Sequence, residues 1–196
     1  MTPKQEEKLR NKIAKIKREL AADKRQWGGY YRDSRGMRYL PPELFIKLKD
    51  YSGGLRYLNW FNKVFPDDCG YPIFLFEWSV ILFKQGKIKE AEKKVLETFF
   101  SNTYIHDKFL GKEFLQFDKY EHSNWEYISL TNHFTYSKND IDLIDFANWL
   151  ESYLTQDKFL KIASEFISIQ AKLKDEHDVS KREKLLKRER GLLEDA

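Results

Sequence analysis

Four histidines and one cysteine are the residues from which this chain would have to assemble acid–base or nucleophilic chemistry: His106, His122, His133, His177 and Cys69. Their spacing fits none of the arrangements that such chemistry uses. No HExxH pair sets two imidazoles on one helix face for zinc, no serine stands in a nucleophile elbow, and no histidine is recognisably paired with Cys69. His106-Asp107 puts a carboxylate beside an imidazole, but adjacent side chains on a helix point apart. The run NDIDLID, residues 139–145, resembles part of a calcium loop yet lacks its glycine and terminal glutamate; acids in a helix's first turn complement the dipole instead. Gly28-Gly29 and Gly53-Gly54 have neither the strand nor the lysine of a phosphate loop and read as breakers. The expectation is a non-enzymatic protein without cofactor or metal. A hydrolase built around residues 106–133 is the remote alternative, because a fold can host an activity that carries no motif.

A single cysteine excludes an intramolecular disulfide and any multi-cysteine zinc site, which points to a reducing compartment or at least to no dependence on oxidation. The first 20 residues lack the apolar core and cleavage site of a secretory signal. The most apolar run, residues 71–83, contains Glu77 and is shorter than the roughly 20 residues of a membrane span. A cytoplasmic location is therefore expected.

Charge is unevenly spread. Residues 1–38 hold 12 Lys/Arg against 5 Asp/Glu, a net +7, whereas the whole chain carries only +4. Within that segment Lys12, Lys15, Lys17 and Arg18 lie on a helix, and Arg32, Arg35 and Arg38 are interleaved with the tyrosines of YYRDSRGMRY. Arginines among aromatics contact phosphate and stack on bases, so these seven residues form a candidate nucleic-acid patch. The dull alternative is a solvated helix face followed by a loop pinned by its tyrosines.

The elements that must position such residues are helical. Thr2-Pro3-Lys4-Gln5 has the grammar of a capping box with proline at the first helical position, and Leu9, Ile13, Ile16 and Leu20 then form a narrow docking stripe before Gly28. The spacing predicts a loop over 30–42, a short helix over 43–49, and another helix after Ser52-Gly53-Gly54, running to Val64 and ended by Pro66. An apolar helix from Pro72 to Gly86 follows, and then a helix bearing Ile88, Ala91, Val95 and Phe99. Residues 102–120 favour no element. Ser123 and Glu126 predict a second capping box opening a helix with Trp125, Ile128 and Phe134; further helices begin near Asn139 and Thr155, and a charged helical tail follows Asp178. No stretch alternates as a strand would. The reading is all-α: one helical domain over 1–196, with a basic N-terminal helix (1–27), a central unit (43–103), C-terminal helices (123–176) and a tail (178–196).

The central unit resembles the tetratricopeptide repeat, whose unit is two antiparallel helices in about 34 residues. Leu75 and Trp78 fall on its early apolar positions, Ser79 on a small one, Leu82 on the usual aromatic one and Gly86 on the turn. Ile88, Ala91 and Val95 suit its second helix. Tyr51, Gly54, Leu58, Phe61 and Pro66 suit the second helix of a preceding repeat, whose first helix is truncated by Pro41-Pro42. Thr98 stands where a small residue is usual, and no third repeat follows residue 103. The resemblance covers residues 43–103 and implies a protein-binding module whose groove is lined by Ile73, Phe76, Val80, Phe83 and Lys84. Such an apolar groove must be covered by a partner peptide, a second copy of the chain, or the chain's own terminal helices.

Overall fold

The computed structural model describes residues 1–121 and 123–194. Among these the secondary structure is entirely helical: α1 (Pro3–Gln26), α2 (Pro41–Lys47), α3 (Tyr51–Val64), α4 (Pro72–Lys84), α5 (Ile88–Ser101), α6 (Ile105–Leu110), α7 (Ile144–Leu154), α8 (Asp157–Asp175) and α9 (Val179–Leu192). Short 3₁₀ turns occupy Met37–Tyr39, Ile128–His133 and Ile141–Leu143. No helix of the described residues is long and apolar enough to cross a membrane.

Helix α1 starts as its sequence dictates. The Gln5 backbone N–H donates to Thr2 Oγ1 at 3.3 Å, and the Thr2 N–H donates to Gln5 Oε1 at 2.8 Å, so two otherwise orphaned donors are satisfied reciprocally. Ile13, Ile16 and Leu20 are buried against Leu44 and Phe45 of α2, Leu48 just after it and Tyr57 of α3, which makes a small apolar cluster of its own.

Helix α4 is buried on every side from Pro72 to Leu82, as expected of a helix that is hydrophobic all round. It is the axis of the larger core. Its tightest partner is α5, which it meets through Gln85-Gly86-Lys87: Gly86 takes φ +69°, and the Lys87 N–H donates back to the Leu82 carbonyl at 3.0 Å. That left-handed cap turns the chain through a hairpin, and Ala91, fully buried, lets the two helices close on each other.

The glycine pair of α3 corrects the sequence expectation. Gly53 and Gly54 do not break a helix; they lie inside the first turns of α3, whose N-cap is Asp50 accepting the Gly53 N–H at 2.9 Å. A Cβ on Gly53 would lie 2.8 Å from the Phe45 ring, and one on Gly54 would lie 2.9 Å from Ile81. The missing side chains let α3 approach α2 and α4, a benefit that outweighs the helix penalty of about 1 kcal/mol per glycine.

The predicted helix from Ser123 is also corrected. Ser123 and Glu126 do interact, but residues 123–127 form turns, and only the 3₁₀ segment Ile128–His133 follows. Trp125 and Ile128 are exposed while Phe134 is buried, so these residues do not share the single apolar face that an α-helix would need. Residues 102–120, undecided by pattern, contain α6, which ends at Gly111 in the left-handed conformation.

Candidate functional site

The expected groove on α4 is closed. Ile73, Phe76 and Val80 are buried. The Phe76 ring is packed among Phe109 of α6, Phe134 and Tyr136 of the following loop, and Phe146 of α7, with centroids 4.8 to 5.6 Å away. Phe83 lies against Phe146 and Trp149, and the Lys84 ammonium is tied to Asp145. An open partner-binding groove at Ile73, Phe76, Val80, Phe83 and Lys84 is thus replaced by core. Exposing so many rings in water would cost more than the chain loses by ordering α7 and its preceding loop over them.

The residues with chemical potential are likewise absorbed by structure. His106 is buried beside Phe76; its Nε2–H donates to the Val95 carbonyl at 3.0 Å, and burial pulls its pKa down to about 4, against the opposing pull of that bond. It is a neutral core imidazole. His133 and His177 are exposed and far apart in the chain, and His122 lies outside the described residues. Asp142 and Asp145 of the NDIDLID run pair with Lys49 and Lys84. No group of three or more His, Cys, Asp or Glu gathers in metal-holding geometry among the described residues.

The basic segment is divided three ways. Arg38 is removed from the nucleic-acid patch altogether: its guanidinium bridges Asp33 at 3.1 Å and Asp68 at 2.7 Å and lies over the Tyr39 ring. Tyr39 Oη donates to Asp68. Burial and this bond push the tyrosine up to about 12; for Asp68, bonds from Tyr39, Gly70 and Arg38 outweigh burial and hold the carboxylate below its usual range. Asp33, with its side chain almost wholly enclosed, also accepts the backbone N–H groups of Met37 and Arg38. The cluster clips the 30–40 loop to the α3–α4 connection. Arg38→Met should therefore lower the unfolding free energy on the order of 2 kcal/mol in a urea titration, because two enclosed carboxylates lose their cation. Arg32 stacks on Trp27 at 4.6 Å, and Arg35 approaches Glu19 at 3.9 Å.

On α1 itself, the docking stripe separates two flanks. The inner flank forms one wall of a cleft of about 690 Å³ between α1 and α3. Its floor is aromatic and aliphatic, made by Ile13, Leu20, Phe45, Tyr57, Trp60 and Tyr31. Three cations, Arg10, Lys17 and Arg56, line it above that floor. Lys17 Nζ stands 5.8 Å above the Phe45 ring and 5.9 Å above Tyr57, and neither Lys17 nor Arg56 has a carboxylate within ion-pair distance among the described residues. Asp50, the cleft's one acid, is committed to the Gly53 N–H and lies 3.5 Å from Arg10.

Sequence reasoning missed this cleft although signals for it exist. Arg10 and Lys17 are seven residues apart, two helical turns, and Tyr57 and Trp60 are three apart on α3. Only the docking of α1 puts the two pairs face to face. The fold and cleft together define an all-helical protein with a cationic, aromatic-floored recess. No family model, curated protein or solved structure matches the chain.

Proposed function

We propose that this chain is a non-enzymatic protein-interaction module built on tetratricopeptide-like hairpins, α2–α3 and α4–α5, and acting without cofactor in the cytoplasm. Its recognition face is the α1–α3 cleft, and its partner is an acidic peptide segment carrying one large apolar side chain. The observation behind this reading is the combination of two cations without an ion-pair partner among the described residues, Lys17 and Arg56, with an apolar floor in one recess of ligand size; Arg10, paired with Glu6 at 2.8 Å, stands at its rim. Arg10 and Lys17 are about 10.5 Å apart along the helix axis at 1.5 Å per residue, a span covered by about three residues of extended peptide. Acidic side chains spaced along such a strand would meet Lys17 and Arg56 and compete with Glu6 for Arg10, and an anchor between them would reach Trp60 and Tyr57.

The test is direct titration with a labelled ten-residue peptide containing alternating acids around one tryptophan or leucine, against a lysine-substituted control. The acidic peptide should bind, and Lys17→Glu with Arg56→Glu should weaken it at least about tenfold, close to 1.4 kcal/mol. Equal binding of both peptides, or no loss in the folded double variant, would remove the cleft from consideration.

A further inference from the structure

The other flank of α1 carries a second cationic surface that the peptide reading does not use. Lys8, Lys12, Lys15 and Arg18 follow one another at spacings of four, three and three, so they run along one side of the helix for about 15 Å at 1.5 Å per residue. All four are exposed. With Lys47 of α2 they line a shallow trough whose other members are Met1, Leu9 and the amides Gln5 and Asn11; no carboxylate contributes to it. Nearby acids reach only its edge: Glu19 lies 3.7 Å from Lys15, and Glu43 pairs with Lys47. Lys8, Lys12 and Arg18 have no ion-pair partner among the described residues.

We propose that this flank binds the phosphate backbone of duplex nucleic acid without regard to sequence. Three features select that occupant. The trough has no aromatic platform, because Trp27 and the tyrosines lie off this flank; single strands, which draw their affinity from base stacking, are disfavoured. The apolar stripe of α1 is buried on α2 and α3, so the helix cannot insert an apolar face into a lipid surface. The side chains are mostly long, solvated cations on one helix, suited to a regular row of phosphates; of the two amides, Gln5 is committed to the helix cap, which leaves Asn11 alone to reach a base edge. The site is narrower than the sequence pattern implied: Lys12, Lys15 and Arg18 belong to it, Lys8 and Lys47 join it, and Lys17, Arg32, Arg35 and Arg38 leave it.

Fluorescence anisotropy with the full chain and two labelled 20-base-pair duplexes of unrelated sequence tests the proposal. Both should bind equally at about 50 mM salt. Four or five phosphate contacts at about 0.9 per contact give a log–log salt slope near −4, a loss of roughly 50- to 100-fold on tripling the salt. Lys8→Glu, Lys12→Glu and Arg18→Glu together should abolish binding, while the cleft variant Lys17→Glu, Arg56→Glu should retain it. If the triple reversal does not fold, Lys8→Gln with Lys12→Gln should reduce the slope by about 2. No duplex binding at low salt, tighter binding of an oligo-dT strand or of phosphatidylserine vesicles, or equal loss in the cleft variant would each overturn it. Because the two sites have separate variants, failure of the peptide reading leaves this result interpretable.

Discussion

Phe76→Ala is expected to lower the unfolding free energy by about 3–5 kcal/mol, enough to leave much of the chain unfolded at 37 °C. The ring is wholly enclosed, with four aromatic neighbours drawn from α6, α7 and the loop before α7. Truncation removes its transfer free energy and leaves a cavity whose walls belong to separate elements that cannot all collapse inward. Phe83 provides the internal control. It is half-buried and packs on Phe146 and Trp149 alone among the described rings, so Phe83→Ala should cost roughly 1–2 kcal/mol. Urea unfolding followed by far-UV circular dichroism measures both. A Phe76→Ala protein as stable as the parent would mean that the α4 face is open in solution, and the groove would return as a binding surface.

The second large effect concerns Glu77, the one acid on the buried helix. Its Oε1 accepts the Tyr136 hydroxyl at 2.8 Å, while Oε2 has no hydrogen-bond partner among the described residues. Burial raises its pKa well above the ordinary 4.5; the Tyr136 bond and the Lys47 charge pull the other way without matching it, and the charge of Glu43 adds to the rise. The folded chain therefore holds a proton that the unfolded chain releases. Stability from this group is complete below about 4.5 and declines as pH rises toward the folded pKa. His106 has the opposite slope: its pKa falls from 6.5 to about 4 on burial, so stability is lost as pH drops through that window. Between about 4.5 and 6.5 the two trends offset each other.

Glu77→Gln keeps an acceptor for Tyr136 and removes the ionisation. It should stabilise the protein on the order of 2 kcal/mol at about pH 8, with the gain shrinking to nothing near pH 4, and it should expose the acid-side loss due to His106. Thermal midpoints across this range report both. A variant that tracks the parent at every pH would show that Glu77 is charged or solvated in the fold. Glu77→Leu separates the hydrogen bond from the charge, since it loses Tyr136's partner as well.

Much of the helical scaffold was readable because its determinants are local. Thr2, Pro3 and Gln5 start α1 through bonds spanning three residues, and the period of Ile13, Ile16 and Leu20 selects its buried face. Gly86 ends α4 by a backbone conformation that does not depend on distant neighbours. Where local signals misled, a distant contact had overruled them. Gly53-Gly54 are breakers by propensity but helical here, because Phe45 and Ile81 press against the positions where side chains would stand. Ser123 and Glu126 made their local contact, yet no α-helix followed, because Trp125 and Tyr127 give their carbonyls to the buried Asn102 amide.

The candidate site divided along the same line. Lys12, Lys15 and Arg18 line one flank of α1 because helical spacing, a property of one element, puts them there. Arg38 was misgrouped with them because its partners Asp33 and Asp68 come from a loop and from a connection 30 residues away. The cleft that joins Arg10 and Lys17 to Arg56 and Trp60 exists only after α1 has docked on α2 beside Tyr57 of α3. By itself, then, the sequence determined an all-helical chain, the place where α4 turns into α5, and a cationic α1. The tertiary structure alone decided which apolar face stays open: burial energy is gained by whichever segments can reach that face, and α6, α7 and the loop around Phe134 reached Phe76 before any partner was needed.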